Sequence, residues 1–132
     1  MKVAIYGQSY AKDSNQDALG ILLDVLIRYK VSIFVEAEFL KLLDDTYIES
    51  VEVKSFTKLD QSYNLLISIG GDGTILRAIT FVKDLNIPIV GINTGRLGFL
   101  ATIQTDEIPT ALSEIIQGNY KISERSLLSV ET

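Results

Sequence analysis

Short apolar runs alternate with amphipathic helical patterns along this 132-residue chain. The runs at residues 3–6, 31–35, 64–69 and 87–92 are apolar without a polar face, which is typical of parallel strands buried on both sides. Between them, apolar residues recur at helical spacing, as in the stripe Leu19, Leu22, Leu23, Leu26 and Ile27. Repeated strand–helix units predict an α/β fold, a three-layer arrangement in which a mostly parallel sheet has helices on both faces.

The remaining segments fit the same plan. Asp13 or Ser14 is a candidate cap for the first helix, residues 36–43 predict a short helix, and residues 106–117 predict a helix that Gly118 and Asn119 end. Residues 44–60 form an acidic, polar connection in which the pattern leaves a short strand or a helical turn open. Charge of this kind is typical of a solvated face.

The sequence Ile69-Gly70-Gly71-Asp72-Gly73-Thr74 stands between a strand pattern and a helix pattern. Glycine has no Cβ, so its backbone can take positive φ and let phosphate oxygens approach its N–H groups. A helix N-terminus adds partial positive charge at the same place, and Thr74 is placed to satisfy one of the first free N–H groups. The turn therefore predicts phosphate binding by Gly70, Gly71, Gly73 and Thr74.

Asp72 needs a separate explanation, because a carboxylate repels phosphate. It can bind a metal that bridges phosphates, accept a proton from an attacking hydroxyl, or simply cap the helix as Asp often does. Arg77 is expected in the first turn of that helix, where the macrodipole disfavours a cation unless an anion is near. A P-loop sequence of the Walker type is absent from the chain.

A second glycine cluster, Gly91-Ile92-Asn93-Thr94-Gly95-Arg96-Leu97-Gly98-Phe99-Leu100, follows the next strand pattern. Open α/β sheets bind ligands beyond the carboxyl ends of their strands, so the two clusters are expected to lie side by side. Residues 61–104 hold two aspartates against three basic residues, a net charge of +1 in a chain whose net charge is −5. This region is therefore locally cationic.

Together the two clusters resemble the N-terminal half of the NAD kinases. The first motif alone is shared with diacylglycerol and sphingosine lipid kinases and, in a Ser form, with phosphofructokinase, so it indicates only the superfamily. The second motif, Asn93-Thr94-Gly95-Arg96-Leu97-Gly98-Phe99-Leu100, is much more specific to NAD kinases. The resemblance runs from the first strand to Leu128 and implies a Rossmann-like sheet.

The resemblance also implies a reaction. NAD kinases transfer the γ-phosphoryl group of ATP, or sometimes of polyphosphate, to the 2′-hydroxyl of the adenosine ribose of NAD, and they require a divalent metal, most often Mg²⁺. Carried over, Asp72 would be the catalytic base that accepts the 2′-hydroxyl proton. NAD would be bound by Asp72, Gly73, Leu76, Arg77 and Phe99, and phosphates by Gly70, Gly71, Gly73 and Thr74. No metal ligand is identified.

The family's second half supplies an Asn-Glu pair for the nicotinamide ribose and a Gly-Ser-Thr-Ala-like stretch, and neither string occurs here. We therefore expect residues 1–120 to form the N-terminal α/β domain and residues 121–132 to begin a β-rich C-terminal domain. Such a fragment is expected to be inactive alone, whereas the full-length protein is expected to be a homo-oligomer. A lipid kinase and a non-catalytic nucleotide-binding module are the alternative functions.

The amino-acid composition excludes several kinds of catalytic site and argues against some partners. The chain has no Cys and no His, which excludes disulfides, thiolate nucleophiles and serine–histidine triads within it. An acidic balance argues against nucleic-acid partners, and no apolar run approaches the roughly 20 residues of a membrane span. A cytoplasmic location is the simplest expectation. The preferred phosphoryl donor and the choice between NAD and NADH are not indicated.

Overall fold

The computed structural model describes residues 1–7, 15–42, 53–70, 72–82, 85, 87–93, 102–104, 107–117, 120–122 and 128–130. Six strands form one sheet in the order β3-β2-β1-β4-β5-β6, and every neighbouring pair is parallel. The strands are β1 (Lys2–Gly7), β2 (Ser32–Glu36), β3 (Val53–Phe56), β4 (Leu65–Gly70), β5 (Ile89–Asn93) and β6 (Thr102–Gln104). This order is that of a doubly wound sheet, in which the chain reverses direction between β1 and β4.

Helices cover both faces of the sheet, as the sequence predicts. They are α1 (Asn15–Arg28), α2 (Ala37–Leu42), α3 (Asp72–Val82) and α4 (Ile108–Ile116). Buried residues of α1, α2 and α4 share one core cluster, whereas those of α3 belong to a second cluster on the opposite face. Among the described helices, α3 is therefore alone on its face. None of the described helices is long and apolar enough to cross a membrane.

Alternation along β4 explains how one strand serves both cores. Leu65, Ile67 and Ile69 pack against the α1 side, whereas Leu66 packs against the α3 side. Since successive side chains of a strand point to opposite faces, Ser68 and Gly70 also lie on the α3 side. All residues of β4 before Gly70 are buried, as expected for a central parallel strand.

Aromatic rings fill the α3-side core between β1 and β3. Phe81 of α3 lies 4.9 Å from the ring of Tyr6 and 6.3 Å from that of Phe56, and Tyr63 lies 5.8 Å from Phe56. Tyr63 comes from the segment that follows β3, so this segment packs on the same face of the sheet as α3. Burial of such rings supplies a large share of the apolar stabilisation.

A polar network fixes the same segment to the start of β1. The Lys2 ammonium donates to Ser62 Oγ at 2.7 Å and lies 4.1 Å from the centre of the Tyr63 ring. Asp60 accepts hydrogen bonds from the hydroxyl and the backbone N–H of Ser62, and these bonds hold the pKa of Asp60 below its usual 3.8. The backbone N–H of Asn64 also donates to the Lys2 carbonyl at 2.8 Å.

Several boundaries differ from the sequence prediction. The helix predicted to start at Glu36 begins at Ala37, because both oxygens of Glu36 accept backbone N–H bonds from the first turn, those of Glu38 and Phe39, at 3.0 Å. The helix predicted around Thr74 begins two residues earlier, at Asp72. The short strand β6 was not expected. The candidate caps Asp13 and Ser14, and the helix-ending Gly118 and Asn119, lie outside the described residues.

After α4 the chain forms a separate antiparallel hairpin of β7 (Tyr120–Ile122) and β8 (Leu128–Val130). This two-stranded sheet begins within one residue of the proposed boundary at residue 120. Its assignment to a second, β-rich domain stays a prediction.

Candidate functional site

Gly70 ends β4 in a conformation that other residues rarely adopt, with φ at +146°. A Cβ at this position would lie 2.5 Å from Thr74 Oγ1 and 3.1 Å from Thr74 Cβ. Thr74 is buried, so it has little freedom to move away. Gly70 is therefore required by the fold itself, because strand and helix approach each other too closely for a side chain.

Gly73 is different, because none of the described residues requires a glycine there. It lies in the first turn of α3 and is exposed, and among the described residues no atom outside this helix lies within 4 Å of where a Cβ would stand. Alanine would favour the helix by about 1 kcal/mol at an interior position. An exposed glycine at a helix N-terminus leaves room for a ligand to approach its backbone closely.

Asp72 is the first residue of α3, where a carboxylate is compatible with the positive end of the helix dipole. Thr74 lies inside the first turn rather than at the cap, because the helix starts earlier than expected. Gly71 lies outside the described residues. The structure thus brings Asp72, Gly73 and Thr74 together at one helix end beside Gly70.

Leu76 and Arg77 follow on the outer side of the same helix. Leu76 is 52% exposed and is one of three large apolar residues with high exposure among those described. Arg77 is also exposed, but the earlier start of α3 places it in the second turn. The dipole effect fades beyond the first turn, so the electrostatic reason given above for an anion beside Arg77 is weaker than the sequence suggested.

The second glycine cluster begins on the neighbouring strand, as expected. Gly70 of β4 is paired with Asn93 of β5, so the described part of the second cluster lies on the strand next to the one that leads into α3. Parallel neighbours are about 4.8 Å apart. Residues 94–100, including Phe99, lie outside the described residues, so their roles stay predictions.

The carboxyl end of β1, the other strand at the reversal point, is closed on one side. A Cβ on Gly7 would lie 2.6 Å from the ring of Phe39, which is fully buried. Both carboxylate oxygens of Glu36, at the end of β2, are engaged with the backbone of α2. In many dinucleotide-binding sheets an acid near this position holds a ribose. Here that acid serves the fold, which favours the β4–α3 turn as the ligand site.

Two further residues, Ser68 and Lys58, are not singled out by the sequence. Ser68 is fully buried, and its hydroxyl is the one buried side-chain polar atom of the described residues without a hydrogen-bond partner. Lys58 lines a groove beside Arg77. A serine inside an apolar strand and a lysine in an acidic connection carry no sequence signal that distinguishes them from ordinary core and surface residues.

The family resemblance implies a divalent metal. Among the described residues, no group of three or more Asp, Glu, His or Cys side chains could hold a metal ion. Mg²⁺ commonly uses one or two carboxylates together with substrate phosphates. A single aspartate at a turn that is predicted to bind phosphate fits a metal that would arrive with the phosphates.

The fold is a doubly wound α/β domain, the architecture of many nucleotide-binding proteins, and its candidate ligand site is the turn at the end of β4. Residues 15–120 match the model of the ATP-NAD kinase N-terminal domain, and the chain belongs to that family. This confirms the resemblance found in the sequence.

Curated relatives that match nearly the full length of this chain belong to the same family. The chain is 44% identical to an NAD kinase of Christiangramia forsetii over 100% of its own length and 46% of the relative's length. It is 42% identical to an NAD kinase of Flavobacterium johnsoniae, with 98% and 45% covered. An NAD kinase of Bacteroides fragilis is 39% identical, with 98% and 45% covered. The chain thus spans a little under half the length of these relatives.

Proposed function

We propose that the protein containing this chain is an NAD kinase that uses ATP to phosphorylate the 2′-hydroxyl of the adenosine ribose of NAD. Membership of the family supports this activity, and the relatives named above are all NAD kinases. The observation in the structure that carries the proposal is the exposed Gly73 at the start of α3, where none of the described residues requires a glycine and a ligand has room to approach the backbone.

In this mechanism Asp72 accepts the proton of the 2′-hydroxyl as its oxygen attacks the γ-phosphorus of ATP. A bond forms between that phosphorus and the ribose oxygen, the bond to the bridging β–γ oxygen breaks, and ADP leaves. Backbone N–H groups at Gly71, Gly73 and Thr74 stabilise phosphate charge at the start of α3. Gly70 allows the turn that presents them.

The other residues of the proposed site bind rather than react. Leu76, Arg77 and Phe99 lie along the dinucleotide, and the exposed side chain of Leu76 offers apolar surface to it. Mg²⁺, carried on the ATP phosphates, would neutralise part of their charge. Positioning of both substrates supplies most of the rate in reactions of this type.

The first test is Asp72→Asn in the full-length protein. A positioned general base contributes about 10²- to 10⁴-fold in rate, whereas the amide has the same shape as the carboxylate. We expect kcat to fall by about that factor while the Kd for NAD changes by less than about threefold. Steady-state kinetics and NAD titration of the same preparations provide the two numbers.

Asp24→Asn is the matched control, because Asp24 is an exposed aspartate on α1, on the opposite face of the sheet from α3. Equal turnover in both variants would remove the base assignment from Asp72. A changed metal dependence without a changed pH profile would give Asp72 a metal-binding role instead.

Two alternatives make different predictions in the same assay. A lipid kinase would phosphorylate a diacyl lipid and not NAD, and a non-catalytic module would bind nucleotide without turnover. No feature of the described residues favours either, and neither is suggested by the relatives named above. A homo-oligomeric state and a cytoplasmic location complete the proposal.

A further inference from the structure

Ser68, near the end of β4, has a hydroxyl group without a hydrogen-bond partner among the described residues. Its side chain is completely buried, and it lies on the α3 side of the sheet, as Leu66 of the same strand does. A buried hydroxyl that loses its hydrogen bonds to water and gains none destabilises the fold. Alanine would occupy nearly the same space without that cost, so the hydroxyl at this position needs an explanation beyond packing.

The positions around Ser68 include two glycines. On the neighbouring strands, Ser68 is paired with Tyr6 of β1 and with Gly91 of β5. The next residue of β4 on the same side is Gly70, which leads into the turn before α3. Neither glycine has a side chain that could fill the space between Ser68 and the helix. The first turn of α3 can therefore approach this part of β4 closely.

Thr74 is the one buried polar residue that the described part of α3 contributes. Its hydroxyl oxygen lies 2.5 Å from the point where a Cβ of Gly70 would stand, so it is on the same side of β4 as Ser68. Positions two residues apart on a strand are separated by about 6.6 Å. Threonine has two accessible rotamers in a helix, and rotation between them moves the hydroxyl while the residue stays in place. Thr74 is therefore a candidate hydrogen-bond partner for Ser68.

The first turn of α3 also carries the backbone N–H groups that are proposed above to bind phosphate. These N–H groups have no partner within the helix, because the carbonyls that would accept from them precede it. A phosphate that accepts from several of them fixes the first turn in one arrangement. A ligand shifts a conformational equilibrium only when it binds one arrangement better than the other. Phosphate at the start of α3 meets this condition if the favoured arrangement is the one in which Thr74 reaches Ser68.

We propose that Ser68 is a positioning residue of the phosphate site, whose hydroxyl gains a hydrogen bond with the Thr74 hydroxyl when phosphate binds at the start of α3. The free protein carries the cost of an unsatisfied hydroxyl, and phosphate binding removes it, so its removal adds to the affinity. This inference rests on the kinase function proposed above, because it takes the turn as the phosphate site. It adds a residue that contacts no substrate itself.

The first measurement compares Ser68→Ala with Ser113→Ala in the full-length protein without ligand. Ser113 is the matched control, because it lies on α4, on the opposite face of the sheet, and its hydroxyl is hydrogen-bonded to Tyr29 Oη at 2.6 Å. Ser68→Ala removes an unsatisfied hydroxyl, so the equilibrium constant for folding should rise about fivefold. Ser113→Ala removes a satisfied one, so the constant should fall by about the same factor. Urea unfolding measures both.

The second measurement is a titration of the same proteins with inorganic tripolyphosphate. Ser68→Ala should raise the Kd about tenfold, because the bound state loses the hydrogen bond to Thr74, whereas Ser113→Ala should leave it unchanged. A residue with only a structural role would not weaken binding in a variant that is more stable than the wild type. Thr74→Val, which keeps the shape without the hydroxyl, should raise the Kd by a similar factor, and the double variant should raise it no further.

Equal tripolyphosphate affinity in the wild type and Ser68→Ala would overturn the inference. A loss of stability in Ser68→Ala would also overturn it, because the hydroxyl would then already have a partner in the free protein. Additive losses of affinity in the double variant, or no binding of tripolyphosphate by the wild type, would contradict it as well. If these results are as expected but the wild type does not phosphorylate NAD, the role of Ser68 stands and the NAD kinase proposal fails.

Discussion

Gly70 and Gly73 are separated by two residues but have different physical reasons to be glycine. Gly70 combines a positive φ with a buried neighbour, Thr74, in the space of its missing side chain. Gly73 has neither restriction, and a side chain there would contact none of the described residues outside its own helix. Gly70 is needed for the turn to form, whereas Gly73 leaves space beside the backbone at the start of α3.

Alanine substitutions therefore predict opposite effects on stability. Gly70→Ala should lower the free energy of unfolding by about 1–3 kcal/mol, because it adds backbone strain and a contact of 2.5 Å with Thr74 Oγ1. Gly73→Ala should leave it unchanged or raise it by up to about 1 kcal/mol, since alanine favours the helix. Urea unfolding of the two variants and the wild type measures both effects.

Gly73→Ala, the variant that is expected to stay stable, should nevertheless bind substrate less well. Gly73→Ala, although stable, is expected to raise the KM for a substrate about tenfold, because its methyl group occupies the space that a phosphate needs. A stable Gly73→Ala variant with wild-type kinetics would show that no ligand approaches this backbone. The sequence predicts phosphate binding by both glycines and cannot separate their roles, since the difference lies in the position of Thr74.

At the scale of single elements, the end of α1 contains one residue in the left-handed region. Lys30 has φ at +58°, and the backbone N–H of Val31 donates to the Leu26 carbonyl at 3.2 Å. This hydrogen bond spans the six residues from Leu26 to Val31, as in a Schellman motif, in which the left-handed residue is usually glycine. Lysine tolerates this conformation at a cost of roughly 1 kcal/mol.

Lys30→Gly should therefore stabilise the protein, by about 0.5–1 kcal/mol, with no effect on kinase activity because α1 covers the opposite face of the sheet. Arg28→Gly, at the last residue of the same helix, is the control and should destabilise by up to about 1 kcal/mol. The midpoints of chemical unfolding measure the two changes. A loss of stability in Lys30→Gly would mean that the lysine side chain contributes more than its backbone strain costs.

Elements that carry a strong local pattern were predicted well, and weakly patterned ones were not. The apolar runs of β1, β4 and β5 and the stripe of α1 were confirmed because burial on both faces of a sheet, or on one face of a helix, leaves a direct imprint on the sequence. The three residues of β6 are too few to show a period. Its pairing with β5 depends on tertiary contacts that no local window contains.

The start of α2 shows a second reason why a sequence pattern can misplace the end of an element. The sequence predicts Glu36 as the first residue of the helix, a position that an acidic side chain favours. In the structure it ends β2, and its side chain folds forward to accept the N–H bonds of Glu38 and Phe39. One residue type is favourable in either position, and only the pairing of β2 with its neighbours decides between them.

At the scale of the whole molecule, the strand order places the candidate site. The chain builds β1, β2 and β3 in one direction and β4, β5 and β6 in the other, so the crossover helix α3 is on the face opposite α1 and α2. The sequence predicts a parallel sheet but not this order. The order matters, because it places the carboxyl ends of β4 and β5 side by side. It also leaves the outer side of α3 facing the groove that Lys58 lines.

The α3-side core also predicts how global stability depends on alkaline pH. Burial raises the pKa of the Tyr63 phenol above its usual 10.0, and the negative charge of Asp60 raises it further. A phenol whose pKa is higher in the folded protein loses its proton first in the unfolded chain. Its contribution to stability is therefore complete below pH 10.0 and is lost as the pH rises through the folded pKa.

We accordingly expect the free energy of unfolding, measured in urea from about pH 8 to about pH 11, to decrease more steeply in the wild type than in Tyr63→Phe. Lysine residues also titrate in this window, and the comparison cancels them, because phenylalanine keeps the ring on which the Lys2 ammonium lies. The two curves should run parallel below pH 10.0 and separate above it. Parallel curves over the whole range would mean that the Tyr63 hydroxyl remains as solvated in the folded protein as in the unfolded chain, and that the segment after β3 does not close this face of the sheet.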